Sequence, residues 1–485
     1  MPSDQSRSTD RTHFGYTDVI AQQGRVMLDR DLNAQRGFVA ERITDEAIDV
    51  IGGCGTPDDG FRISLVVDAA SPPLYWSPPA IGPEGGSPPL GSPPPGSPPA
   101  GSPPGNSPPD SIGGSRDFLI SPGTMYVGGE RVVFWGEQTG RPITYSYFDQ
   151  PDWPVPDRPN PDAQRELVYL EVAELEVSAI EDPDLLEVAL GGPDTTQRRK
   201  LLRRVRRTAV TASDCVTAWA TAVEEWAQRG LKFDPATMRL LPQINLQVGF
   251  TQDVTTTDPC DPVATGGYLG ADNQLIRVRT ATTRAGERLI WGYDNASFLY
   301  RITSVSTDGT MLTLAADPVD GFHVPQTGQL VEVLPTAAVL GEEPDETDPT
   351  GQAQILRVAA NATGRLRTLA QPYGPVTQGD PTNYIVLDDP VPFAGATLPL
   401  FLRVWQAELP LPATGGTVTI ADPNTGISTG LTTTISLPAQ TPPVDGAFWQ
   451  IAVRPSTPQG VYPEELLTEP QPPDGPRVWV CPLAV

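Results

Sequence analysis

Proline constrains this chain more than any other feature: it holds 56 of the 485 positions, against a usual share of about 5%. An internal proline removes one helical hydrogen bond and clashes with the preceding turn. A mostly helical protein is therefore excluded, and strands separated by turns remain. Sixteen of these prolines fall between Pro72 and Pro109, in a stretch that repeats Gly-Ser-Pro-Pro with a period of about five and carries Glu84 as its only charge. Such a segment forms neither core nor helix, so residues 72–113 read as an inserted spacer or surface loop. The remainder is not low-complexity. Over the whole chain, 38% hydrophobic residues and 46 glycines match soluble globular chains, and the length suggests about three domains.

The expected fold class is mainly β and multi-domain, with β-sandwich or small-barrel domains, two amphipathic helices and the Pro-rich insertion. Strand signals are Phe118–Ile120, Met125–Val127, Arg131–Trp135 and Leu167–Val177, then Leu275–Val278, Leu289–Trp291, Phe298–Val305, Met311–Leu314 and Leu330–Leu334. Leu400–Trp405, Thr417–Ile420, Leu431–Leu437, Phe448–Val453 and Val478–Cys481 continue the pattern. One helix should start at a cap on Asp29 or Asp31, carry Leu32, Val39, Ile43, Ala47 and Val50 on one face, and stop at Gly52-Gly53. That narrow stripe is buried either against the protein's own β body or against another subunit. A second helix, 213–229, is capped by Ser213 or Asp214 and carries Val216, Trp219, Val223 and Trp226 as core anchors. The divisions that follow are a docking arm and helix over 1–53, a β-rich domain over 54–250, a β domain over 251–399 and a C-terminal β domain over 400–485.

Material for catalysis is scarce. The two histidines are His13 and His323, and Cys54, Cys215, Cys260 and Cys481 lack any metal-binding or dithiol spacing, so no metal or other cofactor is expected and the thiols read as free and buried. Gly426 to Gly430 matches G-x-S-x-G, but Thr-rich strand signals flank Ser428 and no histidine follows it, whereas a nucleophile elbow needs a strand, the serine and a helix. Acidic pairs (Asp58-Asp59, Asp182 with Asp184, Asp258 with Asp261, Asp388-Asp389) sit beside Pro or Gly, where aspartate stabilises turns. Carboxylate chemistry of the glycosidase kind is the one reaction class this inventory leaves open, and no catalytic residue is assigned.

With 33 basic against 59 acidic residues the net charge is −26, a field that repels phosphate backbones and anionic membranes. Nucleic acid is accordingly not expected, and since no window approaches the ~18 consecutive apolar residues of a membrane span, neither is direct membrane insertion. One basic run interrupts the acidic background: Arg198, Arg199, Lys200, Arg203, Arg204, Arg206 and Arg207. No aromatic residue lies within it to stack on a base, so its partners should be protein carboxylates, on this chain or on an identical neighbour.

Four stretches carry a resemblance: Gln22 to Gln35 (QQGRVMLDRDLNAQ), Glu181 to Arg199 (EDPDLLEVALGGPDTTQRR), Tyr268 to Val278 (YLGADNQLIRV) and Leu289 to Ser297 (LIWGYDNAS), with a closing PLAV at Pro482 to Val485. Together they resemble an uncharacterised bacterial family encoded in gene clusters for phage-tail-like contractile injection systems. The first stretch is also similar to N-terminal docking segments of phage tail-fibre and baseplate proteins. The chain departs from the family pattern at Asp272, where Glu is usual, at Gly292-Tyr293, which replaces Ser-Arg, and near Gly475, which lacks a histidine. The resemblance implies a baseplate-associated, fibre-like or adaptor subunit that acts through protein–protein assembly. Its partners would be the particle's other subunits and further copies of itself in a homo-oligomer, with a trimer as one option. The N-terminal residues MPSDQSRSTDRTHFGYTD lack the apolar stretch of a secretory signal, so the chain is expected to start in the cytoplasm without a signal peptide, and the resemblance implies that it joins a particle that is released or held at a membrane. The docking interface implied comprises Gln22, Gln23, Gly24, Arg25, Asp29, Asp31, Leu32, Asn33, Val39 and Ile43, and the basic run is a second contact surface. A carbohydrate-binding or carbohydrate-active protein carried by the same particle is the alternative.

Overall fold

The computed structural model of the protein describes residues 16–23, 25–65, 117–134, 143–160, 162–192, 194–251, 266–293, 298–344, 354–374, 383–422, 426 and 428–485. The Pro-rich insertion 72–113, Gly24, His13, Cys260, Asp258, Asp261 and Asn295 to Ser297 lie outside them. The fold is mainly β, and every strand pairing in its sheets is antiparallel.

One five-stranded sheet organises the N-terminal half. Its strand order is Arg198–Ala209, Glu166–Val177, Val478–Ala484, Arg239–Pro242, Leu231–Asp234. The helix α2, Cys215–Gln228, covers one face: Ala218, Ala222 and Trp226 pack on Leu167, Tyr169, Leu240 and Val480. Asp214 caps α2 by accepting a 2.8 Å hydrogen bond from the Thr217 N–H. The expected apolar face is rotated in one respect, since Val216 is exposed and the small Ala218 and Ala222 make the close contact. The opposite face of the sheet packs on the strands Gly123–Val127, Glu130–Phe134 and Phe118–Ile120 through Val127, Phe134, Tyr147 and Trp153.

A second body is a sandwich. The sheet Ala407–Pro410, Gly286–Tyr293, Gln274–Thr283, Phe448–Val453, Val461–Tyr462 faces the sheet Asn245–Phe250, Ser428–Ser436, Thr417–Ala421, with Trp291 and Trp449 buried between them. A six-stranded sheet over residues 299–405 has its own core, built on Ile302, Leu312, Val331 and Leu402.

Strand pairing does not follow the linear divisions 54–250, 251–399 and 400–485. The last strand, Val478–Ala484, lies at the centre of the first sheet, where Cys481 pairs with Leu170. Asn245–Phe250 pairs with Ser428–Ser436, and Gln274–Thr283 pairs with Phe448–Val453. The physical reason is that a hairpin satisfies only one edge of a strand, and the chain fills the other edge of these strands with segments more than 150 residues away. The thiols also differ from expectation: Cys481 is buried and Cys54 half-buried, but Cys215 is exposed at the start of α2.

Candidate functional site

The helix α1, Asp29–Ile51, forms where the sequence places it. Asp29 is its first residue rather than its cap. Asp31 closes the N-terminus by accepting a 3.0 Å hydrogen bond from the Leu28 N–H, and two acids in the first turn suit the positive end of the helix dipole. Gly52, at φ +91°, ends it and donates its N–H to the Ile48 carbonyl at 2.9 Å. Ahead of the helix, the arm doubles back so that the Val19 N–H reaches Gln35 Oε1 at 2.8 Å. Gln22 and Arg25 form a turn through a 3.2 Å backbone bond, and Gln22, Gln23 and Arg25 are exposed.

Of the two options for the apolar stripe, burial on the protein's own β body does not occur for its four large members, and Ala47 is half-buried. Leu32 is 61% exposed, Val39 47%, Ile43 59% and Val50 84%. The residues of α1 that are buried are Ala34 and Phe38, one turn apart on another side, and neither joins a hydrophobic cluster of the β body. Asp31 and Asn33 are half-buried. Tyr16, Ile20, Val26, Met27 and Leu28 add exposed apolar surface on the arm. Fully burying a side chain such as Leu or Ile is worth about 1.5–3 kcal/mol, so a row of four left in water is a costly surface for a free monomer and a suitable one for a partner.

The helix is anchored near its C-terminal end. Gly129, in the turn between Gly123–Val127 and Glu130–Phe134, lies against Thr44: a methyl group on Gly129 would sit 2.6 Å from the Thr44 carbonyl oxygen. At φ +80° that position also disfavours any side chain. Gly129→Ala should therefore displace α1 and cost about 1–3 kcal/mol from backbone strain alone. Hydrogen exchange checks this: α1 amides should lose protection while the five-stranded sheet keeps its own, and unchanged α1 protection would refute the seat.

The basic run forms the edge strand Arg198–Ala209, and five of its seven cations meet carboxylates of the same chain. Arg199 meets Glu174 at 2.7 Å and Glu130 at 2.9 Å, Arg206 meets Glu171 at 2.8 Å, and Arg207 meets Glu166. Arg206 and Arg207 also stack over Trp153 and Tyr147, at 4.5 and 4.9 Å from the ring centres. Lys200 and Arg203 converge on the buried Asp152 at 3.3 and 2.6 Å. Arg204 donates to the carbonyls of Asp152 and Ala337, and Arg198, the exposed member, donates to Thr196 and Gln197. Side chains from the preceding loop take the place of a sixth strand. Gln150 exchanges hydrogen bonds with both backbone groups of Val205, at 2.7 and 3.1 Å, and Asp152 accepts from the Arg203 N–H at 2.9 Å. They cover the unpaired edge that would otherwise recruit another chain. Of the two partners considered for this run, the acids of the same chain are the ones it contacts.

The described acidic pairs serve local structure. Asp58 accepts from the N–H groups of Gly60 and Thr124, Asp182 and Asp184 both hold Arg357, and Asp388 and Asp389 hold Arg284. Ser428 begins a strand, and its Oγ accepts from the Gly430 N–H. The ring of His323 lies 4.7 Å from that of Phe298, with Nδ1 2.7 Å from Asp320. A groove of about 750 Å³ runs past Arg239, Pro242, Trp449, Pro463, Gln471 and Arg477, with charges of both signs on its walls, Glu465 and Asp474 among them. Among the described residues no three His, Cys, Asp or Glu side chains cluster as metal ligands, and no helix is long and apolar enough to cross a membrane.

A model for a family of unknown function, DUF6519, matches residues 1–77. That range contains the arm, α1 and the first two short strands, Cys54–Gly55 and Ile63–Leu65. No curated protein and no solved structure matches the chain.

Proposed function

We propose that this protein is a structural assembly subunit that docks through its N-terminal arm and α1 and presents its β body outward, as a baseplate-associated, fibre-like or adaptor component of a phage-tail-like contractile injection particle. The observation that carries the docking role is the exposed row Leu32, Val39, Ile43 and Val50 on a helix whose Thr44, on another face, is held against Gly129. Two further facts support it. The matched family segment contains the whole arm and helix, together with the first two short strands of the β body, and each described acidic pair is committed to a turn or to an arginine. The particle setting rests on the resemblance in Gln22 to Gln35 and the three later stretches.

The triple variant Leu32→Asp/Val39→Asp/Ile43→Asp tests it. All three positions are exposed, so the fold should be unchanged by circular dichroism. Incorporation into purified particles should fall at least about tenfold, the loss of one 1.4 kcal/mol step, since each charge would have to be desolvated in the interface. Incorporation at the wild-type level would reject the docking role.

A further inference from the structure

The docking reading above does not say what covers α1, and the charges on its seam do. From Leu32 the exposed seam runs Leu32, Arg36, Val39, Ile43, Glu46, Val50, with spacings of four, three, four, three and four. Alternation of fours and threes is the pattern of a two-helix coiled-coil seam. Two of its six positions are charged and exposed, one of each sign, and they stand symmetrically about residue 41.

We propose that the occupant of this face is α1 of a second copy of the chain, packed antiparallel about a twofold axis that passes residue 41. In that register Leu32 faces Val50 of the second copy, Val39 faces Ile43, and Arg36 faces Glu46. Every layer is then either apolar on apolar or cation on anion, and each of the three layers occurs twice because a twofold interface is self-complementary. A parallel pair, or a parallel trimer, sets Arg36 against Arg36 and Glu46 against Glu46. Like charges so placed cost several kcal/mol, enough to decide the direction.

The flanks agree with this arrangement. Ala40 and Ala47 on one side allow close approach of the two backbones. On the other side lies Arg42, near the axis and hence near its own mate. Its charge is offset by Glu46 of its own chain, 3.1 Å away. The apolar layers supply the affinity and the Arg36 and Glu46 layers select the direction. The seam runs about 27 Å from Leu32 to Val50 along a helix of 23 residues, a small interface by the standard of about 800 Å² per partner, so association should be concentration-dependent across the micromolar range.

Sedimentation of the full-length protein is the test, with charge exchange as the diagnostic. The wild type should dimerise. Arg36→Glu alone and Glu46→Arg alone should each weaken the dimer about tenfold or more, because each creates two like-charge layers. In an Arg42→Gln background, which takes the Arg42–Glu46 pair out of the comparison, the double variant R36E/E46R should recover the affinity of its parent within about threefold, since opposite charges again face each other. A wild type that remains monomeric overturns the proposal. So do single variants without effect, which a parallel pair would give, and a double variant that fails to recover. The proposal and the docking reading fail separately. A monomeric wild type whose Leu32→Asp/Val39→Asp/Ile43→Asp variant still drops out of particles refutes self-pairing and keeps docking on another protein. A dimer whose triple variant enters particles normally does the reverse.

Discussion

Asp152→Ala should destabilise the protein by about 3–5 kcal/mol, the usual result of removing one member of a buried ion pair. Asp152 is fully buried, and its carboxylate holds the Lys200 ammonium, the Arg203 guanidinium and the Arg203 N–H together. Alanine would take this carboxylate from two cations and a strand-edge donor in the same place. Equilibrium urea unfolding measures the loss, and a change below about 1 kcal/mol would mean that water replaces the carboxylate without difficulty. Solubility should fall too, because the outer edge of Arg198–Ala209 regains an open pairing site. The same residue sets an acid limit. Burial on its own would raise the Asp152 pKa, but Arg203 and Lys200 outweigh it and hold the carboxyl below its usual value. A depressed value in the folded state means that the stabilisation is complete above the unfolded value of about 3.9 and is lost as pH falls through the folded one. The wild type should lose stability on acidification below about pH 4, and the Asp152→Ala protein should lack that component of the loss.

Glu332→Gln should cost a similar amount, about 3–5 kcal/mol, at the junction of two sheets. Glu332 is wholly buried. One oxygen accepts from Arg279 and from the Gly364 N–H, both at 2.7 Å, and the other accepts from the Trp405 indole at 3.1 Å. Arg279 belongs to Gln274–Thr283 in the sandwich and Glu332 to Leu330–Leu334 in the six-stranded sheet, so this pair fastens one body to the other. Arg279 and Arg403 also lie 4.8 Å from the centre of the Trp405 ring. Glutamine retains the shape but leaves the Arg279 charge buried without its counter-ion. A double variant Arg279→Leu/Glu332→Leu should recover most of the loss, because a buried ion pair exchanged for apolar side chains is often neutral. Urea unfolding of the full cycle distinguishes the cases: equal losses in the single and double variants would place the energy in Glu332's contacts with Gly364 and Trp405 instead.

Much of the fold is legible locally. Alternating or β-branched runs such as Met311–Leu314, Leu330–Leu334, Leu400–Trp405 and Phe448–Val453 become strands over those bounds. The bounds of α1 follow from an acidic first turn and from Gly52, which adopts a backbone conformation that side chains resist. What escapes local reading is Arg198–Ala209. Seven cations in ten positions carry no apolar alternation, and cations of the run occur on both faces of the strand. The acids that make it a strand, Glu130, Asp152, Glu166, Glu171 and Glu174, lie 25 or more residues away.

The sequence alone therefore determined the β character, the existence and ends of both long helices, and the apolar row on α1, because each is written in residues a few positions apart and reports a local period or a local stop. Tertiary structure decided the rest. It placed the last strand at the centre of the first sheet, matched the arginine run to acids of the same chain, buried Ala34 and Phe38 of α1 and set Thr44 against Gly129. The Leu32, Val39 and Ile43 row stays exposed as a result. A helical period shows that a face is apolar but not what covers it, and a strand's partner is chosen by register and charge across the whole chain.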